Sequence, residues 1–171
     1  MPKMTEDKLT FEFPNNWRAI KYDETTFYQK HFQKLANSKA VDFVACEIGG
    51  NDELWLIELK DYRIHPRTKA GDLFLEIASK VRDTLASLYL AQRKEEVDVY
   101  DFVKIASEKK RIRIVLHLEQ PQKPSKLYPL VVERDNTQIK LRQQVQVVDR
   151  HAIVCELAKM PSQCKWTVTS K

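Results

Sequence analysis

The stretch VDFVACEIGGNDELWLIELKDYR, residues 41–63, constrains the fold of this chain more than any other. Two runs rich in β-branched, aromatic and aliphatic residues flank the turn sequence GGND. Successive side chains of a strand point to opposite faces, so a strand wetted on one face alternates apolar with polar residues. AVDFVACEI (40–48) and ELWLIELK (53–60) are instead apolar on both faces. They predict a hairpin with material packed above and below it. The exceptions are ionic. Asp42 opens the first run, and Glu58 and Lys60 end the second. Glu58 and Lys60 are two apart and share a face with Leu54 and Leu56, so that face turns ionic only at its end. Counting outward from the turn, Ile48 faces Glu53 and Asp42 faces Leu59, to within a residue or two, and the three ionic groups converge.

The flanking sequence supplies covering layers. Residues 24–37, ETTFYQKHFQKLAN, read as an amphipathic helix capped by Asp23. Residues 71–93 predict a long helix capped by Asp72, with Phe74, Ile77, Val81, Leu85 and Leu88 as its buried stripe. Further helices are expected at 98–108 and 135–147, and strands at 111–118, 151–157 and 165–170. The alternation predicts a mixed α/β fold. No linker divides the chain, although 119–129 is a proline-rich loop, so residues 1–171 read as a single domain.

Composition narrows the function. With 43% apolar and 31% charged residues, the chain is of ordinary globular type. No apolar run approaches the roughly 20 residues that span a bilayer. The polar start MPKMTEDKLT is no secretory signal, and three widely spaced cysteines, Cys46, Cys155 and Cys164, suit free thiols. Together these point to the cytoplasm. Cys46 reads as a small buried hydrophobe; of the histidines, His151 alone lies near a cysteine, Cys155. His31, His65, His117 and His151 have no metal-ligand spacing, and no glycine-rich phosphate cradle is present. The net charge of +5 admits a polyanionic partner. Lys104, Lys109, Lys110, Arg111, Arg113, Lys123 and Lys126 form a basic run that reads as a solvated face or, if clustered on one side, a phosphate-contacting surface.

Two carboxylates on one partly buried surface repel unless a cation lies between them. A hard divalent ion resolves the repulsion, and Lys60 beside it could hold a phosphate or a water. Asp42 followed by IELK (57–60) resembles the PD-(D/E)xK motif of the restriction-endonuclease-like nucleases, with Val41 in place of the nominal proline. The preceding helix, the hairpin and the following helix resemble that family's core over about 24–93, and the strand at 111–118 extends it to 118. The resemblance implies a restriction-endonuclease-like mixed central sheet flanked by helices. It implies a metal-dependent DNA endonuclease, with RNA not excluded, acting as a homodimer with Mg²⁺, for which Mn²⁺ can substitute. Asp42, Glu58 and Lys60 would be catalytic. Asp42, Glu58 and the Leu59 carbonyl would bind the metal, joined by Glu24 unless that residue only opens its helix. Arg63, Arg67 and Lys80 would contact substrate, against a polar loop for the arginines and, for Lys80, a surface ion pair with Glu76 as the better reading. The alternative is a non-catalytic nucleic-acid-binding or protein-interaction module on the same fold.

Overall fold

The second apolar run becomes β5 (Glu53–Asp61), the central strand of a five-stranded sheet. A computed structural model of the chain describes residues 1–50, 52–63 and 65–170. The sheet order is β3 (Trp17–Lys21), β4 (Phe43–Glu47), β5, β6 (Arg111–Glu119) and β7 (Ile153–Cys155). β3, β4 and β5 run antiparallel, whereas β6 and β7 continue parallel to β5. A parallel partner needs a long crossover. Between β5 and β6 it is built from α2 (Leu73–Ala91) and α3 (Tyr100–Ser107). α4 (Arg134–Val145) fills the next one, before β7.

Both faces of β5 are buried, as the lack of alternation requires. Leu54 and Leu56 pack with Phe74, Ile77 and Val81 of α2 and Leu141 of α4. Trp55, Ile57 and Leu59 face the other way, into a cluster with Phe11, Phe13, Trp17 and Trp166. That second cover is a three-stranded antiparallel sheet of β1 (Lys3–Glu6), β2 (Leu9–Glu12) and β8 (Thr167–Ser170). The polar N-terminus gave no sign of it, because β1 is largely exposed and only β2 is buried along its length.

The Asp72 cap of α2 is present, its Oδ1 accepting from the backbone N–H groups of Phe74 and Leu75 at 2.7 and 3.1 Å. The helix expected over 24–37 is broken instead. A 3₁₀ turn at Tyr22–Glu24 precedes the five-residue α1 (Thr26–Lys30), and another 3₁₀ turn follows at Phe32–Lys34. Thr25, not Asp23, caps α1 through its hydroxyl, and Ala36 and Asn37 leave it with positive φ. A helix this short depends on its neighbours. The Asp98 carboxylate supplies them, accepting from the Thr26 and Phe27 amides at 2.7 and 2.9 Å. The GGND turn includes Asn51, which lies outside the described residues.

The basic run does not gather on one side. Lys109, Lys110 and Arg111 stand at the start of β6, while Lys123 and Lys126 follow its end. Nine strand residues, about 27 Å, separate the two groups. Among the described residues, no helix is long and apolar enough to cross a membrane.

Candidate functional site

The ionic end of β5 meets α2. In the hairpin register Phe43 pairs with Ile57, so Asp42, immediately before β4, aligns with Glu58 rather than with Leu59. Its carboxylate leans across, and Oδ2 accepts from the Leu59 amide at 2.6 Å. Glu58 is buried to 1% exposure beneath α2. Lys60 reaches back along the same face and places Nζ 2.5 Å from Glu58 Oε1. Lys80 descends from α2 and donates to the same oxygen at 2.7 Å, with Asp42 Oδ1 3.4 Å away. The three groups named from the hairpin converge, and a fourth completes the cluster.

Lys80 therefore does not pair with Glu76. Glu76 takes Arg67 at 2.9 Å and Lys69 at 3.0 Å instead. Arg63 is folded onto Asp61, with bonds of 2.9 and 2.5 Å from its guanidinium. Glu24 is exposed and paired with Lys21. Its neighbour Asp23 is the acid that faces the cluster: burial first, then the Asp42 charge, pushes its carboxyl up to about 6. Sequence offered no signal for Asp23, because which acid faces the site depends on how the 22–24 turn winds. Lys80 had one, since it lies between Ile77 and Val81, both on the buried side of α2.

The electrostatics are those of a crowded, dry site. Burial, then the nearby Asp42, pushes the Glu58 carboxyl up to about 7, against the pull of Lys80 and Lys60. Burial works against the Lys80 charge, yet the Glu58 and Asp42 carboxylates together outweigh it and hold Lys80 above its usual value. Glu58 Oε1 takes both ammonium groups, whereas Oε2 is buried and has no hydrogen-bond partner among the described residues. An orphaned carboxylate oxygen is costly. Beside it lies a second carboxylate, and both are hard oxygen donors of the kind that suits a divalent ion. Next to the cluster, Arg67, Lys69 and Lys140 line a cleft of about 370 Å³. It joins the ionic site through Glu76, whose carboxyl is held down to about 2 against burial by Lys69 and Arg67, with Lys60 contributing.

The chain is 36% identical over 162 residues to a cysteine–tRNA ligase of Neisseria meningitidis serogroup A / serotype 4A (strain DSM 15465 / Z2491). It is similar to part of a ligase. The match takes in 75% of this chain and 23% of the ligase, so the chain spans about a quarter of the length of that relative. No family model matches the chain, and no solved structure does. The similarity corrects the expectation of a metal-dependent nuclease, endonuclease or hydrolase. The relative is an enzyme named for joining cysteine to tRNA, not for cutting phosphodiesters.

Proposed function

We propose that this chain is a tRNA-handling module of the aminoacylation machinery, related to one portion of a cysteine–tRNA ligase. The observation that carries this reading is the 36% identity, which takes in three quarters of the chain. Binding and positioning of the RNA is the share of that work we assign to the chain, which spans about a quarter of the ligase's length. The fold we propose for it is the restriction-endonuclease-like arrangement, put to another use. The antiparallel β3–β4–β5 unit continued by parallel β6 and β7 supports this.

In this reading the ionic cluster receives a phosphate of the RNA backbone. Lys60 and Lys80 supply the positive charge, and the cleft lined by Arg67, Lys69 and Lys140 continues the path. Arg63, held on Asp61, stays outside it. Asp42 and Glu58 would hold Mg²⁺ together with the Leu59 carbonyl, and the unpartnered Glu58 Oε2 fits such an ion. The ion would supply positive charge beside the two acids, where it would favour a bound phosphate. Asp42, tied to the Leu59 amide, keeps the acids side by side, and Lys80 fixes Glu58 from the helix.

The test is a mobility-shift titration of a cysteine-accepting tRNA transcript with the full chain. A complex is expected whose affinity falls as salt rises and falls again with EDTA. Lys60→Gln, shown by circular dichroism to remain folded, weakens it by roughly tenfold. Equal affinity for double-stranded DNA of the same length, or no complex at low salt, overturns the proposal.

A further inference from the structure

Between α2 and the end of α4 runs an open groove of about 460 Å³ that shares no lining residue with the cleft beside the ionic cluster. Leu75, Ala78 and Leu85 form its α2 wall, at a spacing of three or seven residues that keeps them near one helix face. Val147 and Val148, just beyond α4, form the other wall. Leu75 is 55% exposed and Val147 92%. Aliphatic side chains exposed together, rather than singly, mark a contact surface. Leu85, Val147 and Val148 also line a second hollow of about 540 Å³, so the two are continuous. There the lining turns basic, with Lys110 just ahead of β6 and Arg150 and His151 after α4. Arg150 and His151 are exposed, and Lys110, paired with Asp52 at 3.4 Å, keeps 80% of its side chain in solvent. A surface pair of that kind is weak enough to be exchanged for another. Among the described residues, Asp149 is the one acid lining either hollow. Its carboxylate is buried and accepts from the Ile114 and His151 amides at 2.9 and 2.8 Å. The groove is therefore aliphatic along its length and cationic at one end.

We propose that this groove docks an acidic amphipathic helix of a protein partner. From Leu75 to Leu85 the α2 wall is about 15 Å long, which accommodates about three turns of a helix laid along it. Apolar residues of the partner at i, i+3, i+4 and i+7 lie against Leu75, Ala78, Leu85 and Val147. Carboxylates at one end of that helix meet Lys110 and Arg150. The charge at that end sets the sign of the partner, because it rejects a basic helix and selects an acidic one. The lining also favours a helix over RNA. Sequence-specific and single-strand RNA binding stacks bases on aromatic side chains, and among the described residues no Phe, Tyr or Trp lines either hollow. The docking is independent of the RNA reading, since Lys60, Lys80, Arg67, Lys69 and Lys140 all lie outside the groove lining.

The full chain is titrated, by fluorescence anisotropy, against two labelled, end-capped peptides of about fifteen residues, long enough for the groove. Each carries leucine at helical spacing on one face and a glutamate-rich turn, at the N-terminal end in one and the C-terminal end in the other. At least one is expected to bind, and its lysine-for-glutamate counterpart to bind roughly tenfold more weakly or worse. Val147→Asp, at a site too exposed to disturb the fold, weakens binding by roughly tenfold or more, and so does the double variant Lys110→Glu, Arg150→Glu. Lys34→Glu, exposed and outside the groove lining, leaves it unchanged. Binding by neither peptide, or binding that Val147→Asp leaves intact, overturns the proposal. So does sedimentation as a dimer that Val147→Asp dissociates, which assigns the groove to a second copy. Displacement of the bound peptide by a tRNA transcript assigns it to RNA and overturns the proposal too.

Discussion

The two faces of one pair of parallel strands carry opposite solutions to the same problem. At the end of β5, Glu58 and Lys60 turn towards α2; at the end of β6, His117 and Glu119 turn towards the small sheet. On the helix face a carboxylate is crowded by a second acid, and one of its oxygens has no hydrogen-bond partner among the described residues. On the small-sheet face a carboxylate oxygen has two partners, His117 and the Leu157 amide, and these outweigh burial to hold Glu119 below its usual value. A buried acid that is fully bonded reads as structural, and one left short reads as waiting for a ligand. The difference teaches that burial alone does not mark the functional acid.

Removing the cation from the helix face is the hardest blow to this contrast. Lys80→Met leaves Glu58 and Asp42 together with only Lys60 and is expected to cost about 3–5 kcal/mol by urea denaturation at pH 8. A loss below about 1 kcal/mol would show that the ammonium does not hold the acids together.

The pH dependence separates the faces next. Glu58 is raised, so its contribution is fully present below the unfolded value near 4.5 and is lost as pH rises through about 7. Glu58→Gln should therefore compare better with wild type at pH 8 than at pH 5, by up to about 3 kcal/mol. Glu119 is lowered, so its contribution is present at neutral pH and lost as pH falls through its folded range. Glu119→Gln should cost about 1–3 kcal/mol at pH 7 and progressively less under acid. Parallel pH profiles for the two variants would erase the distinction between the faces.

The smallest effect belongs to Glu24→Gln, which should change stability by less than about 0.5 kcal/mol, because Glu24 is exposed and its carboxylate is paired at the surface with Lys21. Isothermal titration with Mg²⁺ should likewise show no difference from wild type, whereas Asp23→Asn should weaken binding if the acid beside Asp42 matters to the ion.

Much of the helix face was legible in the sequence because local rules decide it. Period-two placement put Glu58 and Lys60 on one face, and Asp72 marked the start of α2. The hairpin count missed by one residue, since the turn, and not the apolar pattern, sets the register. The small-sheet face was illegible. β1, β2 and β8 are four residues each and lie at opposite ends of the chain, so no window contains their pairing. His117 and Cys155, thirty-eight positions apart, meet only through a parallel register, whereas proximity along the chain had singled out His151. His151 turns out to be exposed, held by its amide to Asp149.

The register of β5 with β6 keeps two sets of charges apart. Glu58 stands opposite Leu116, and Glu53 opposite Arg111, five rungs and about 17 Å along the strands. Five is an odd number, so the ionic cluster and the arginine side chains of β6 emerge on opposite faces of the sheet. Whatever settles on the helix face meets Lys60 and Lys80, while Arg113 lies over the Trp55 ring on the far side.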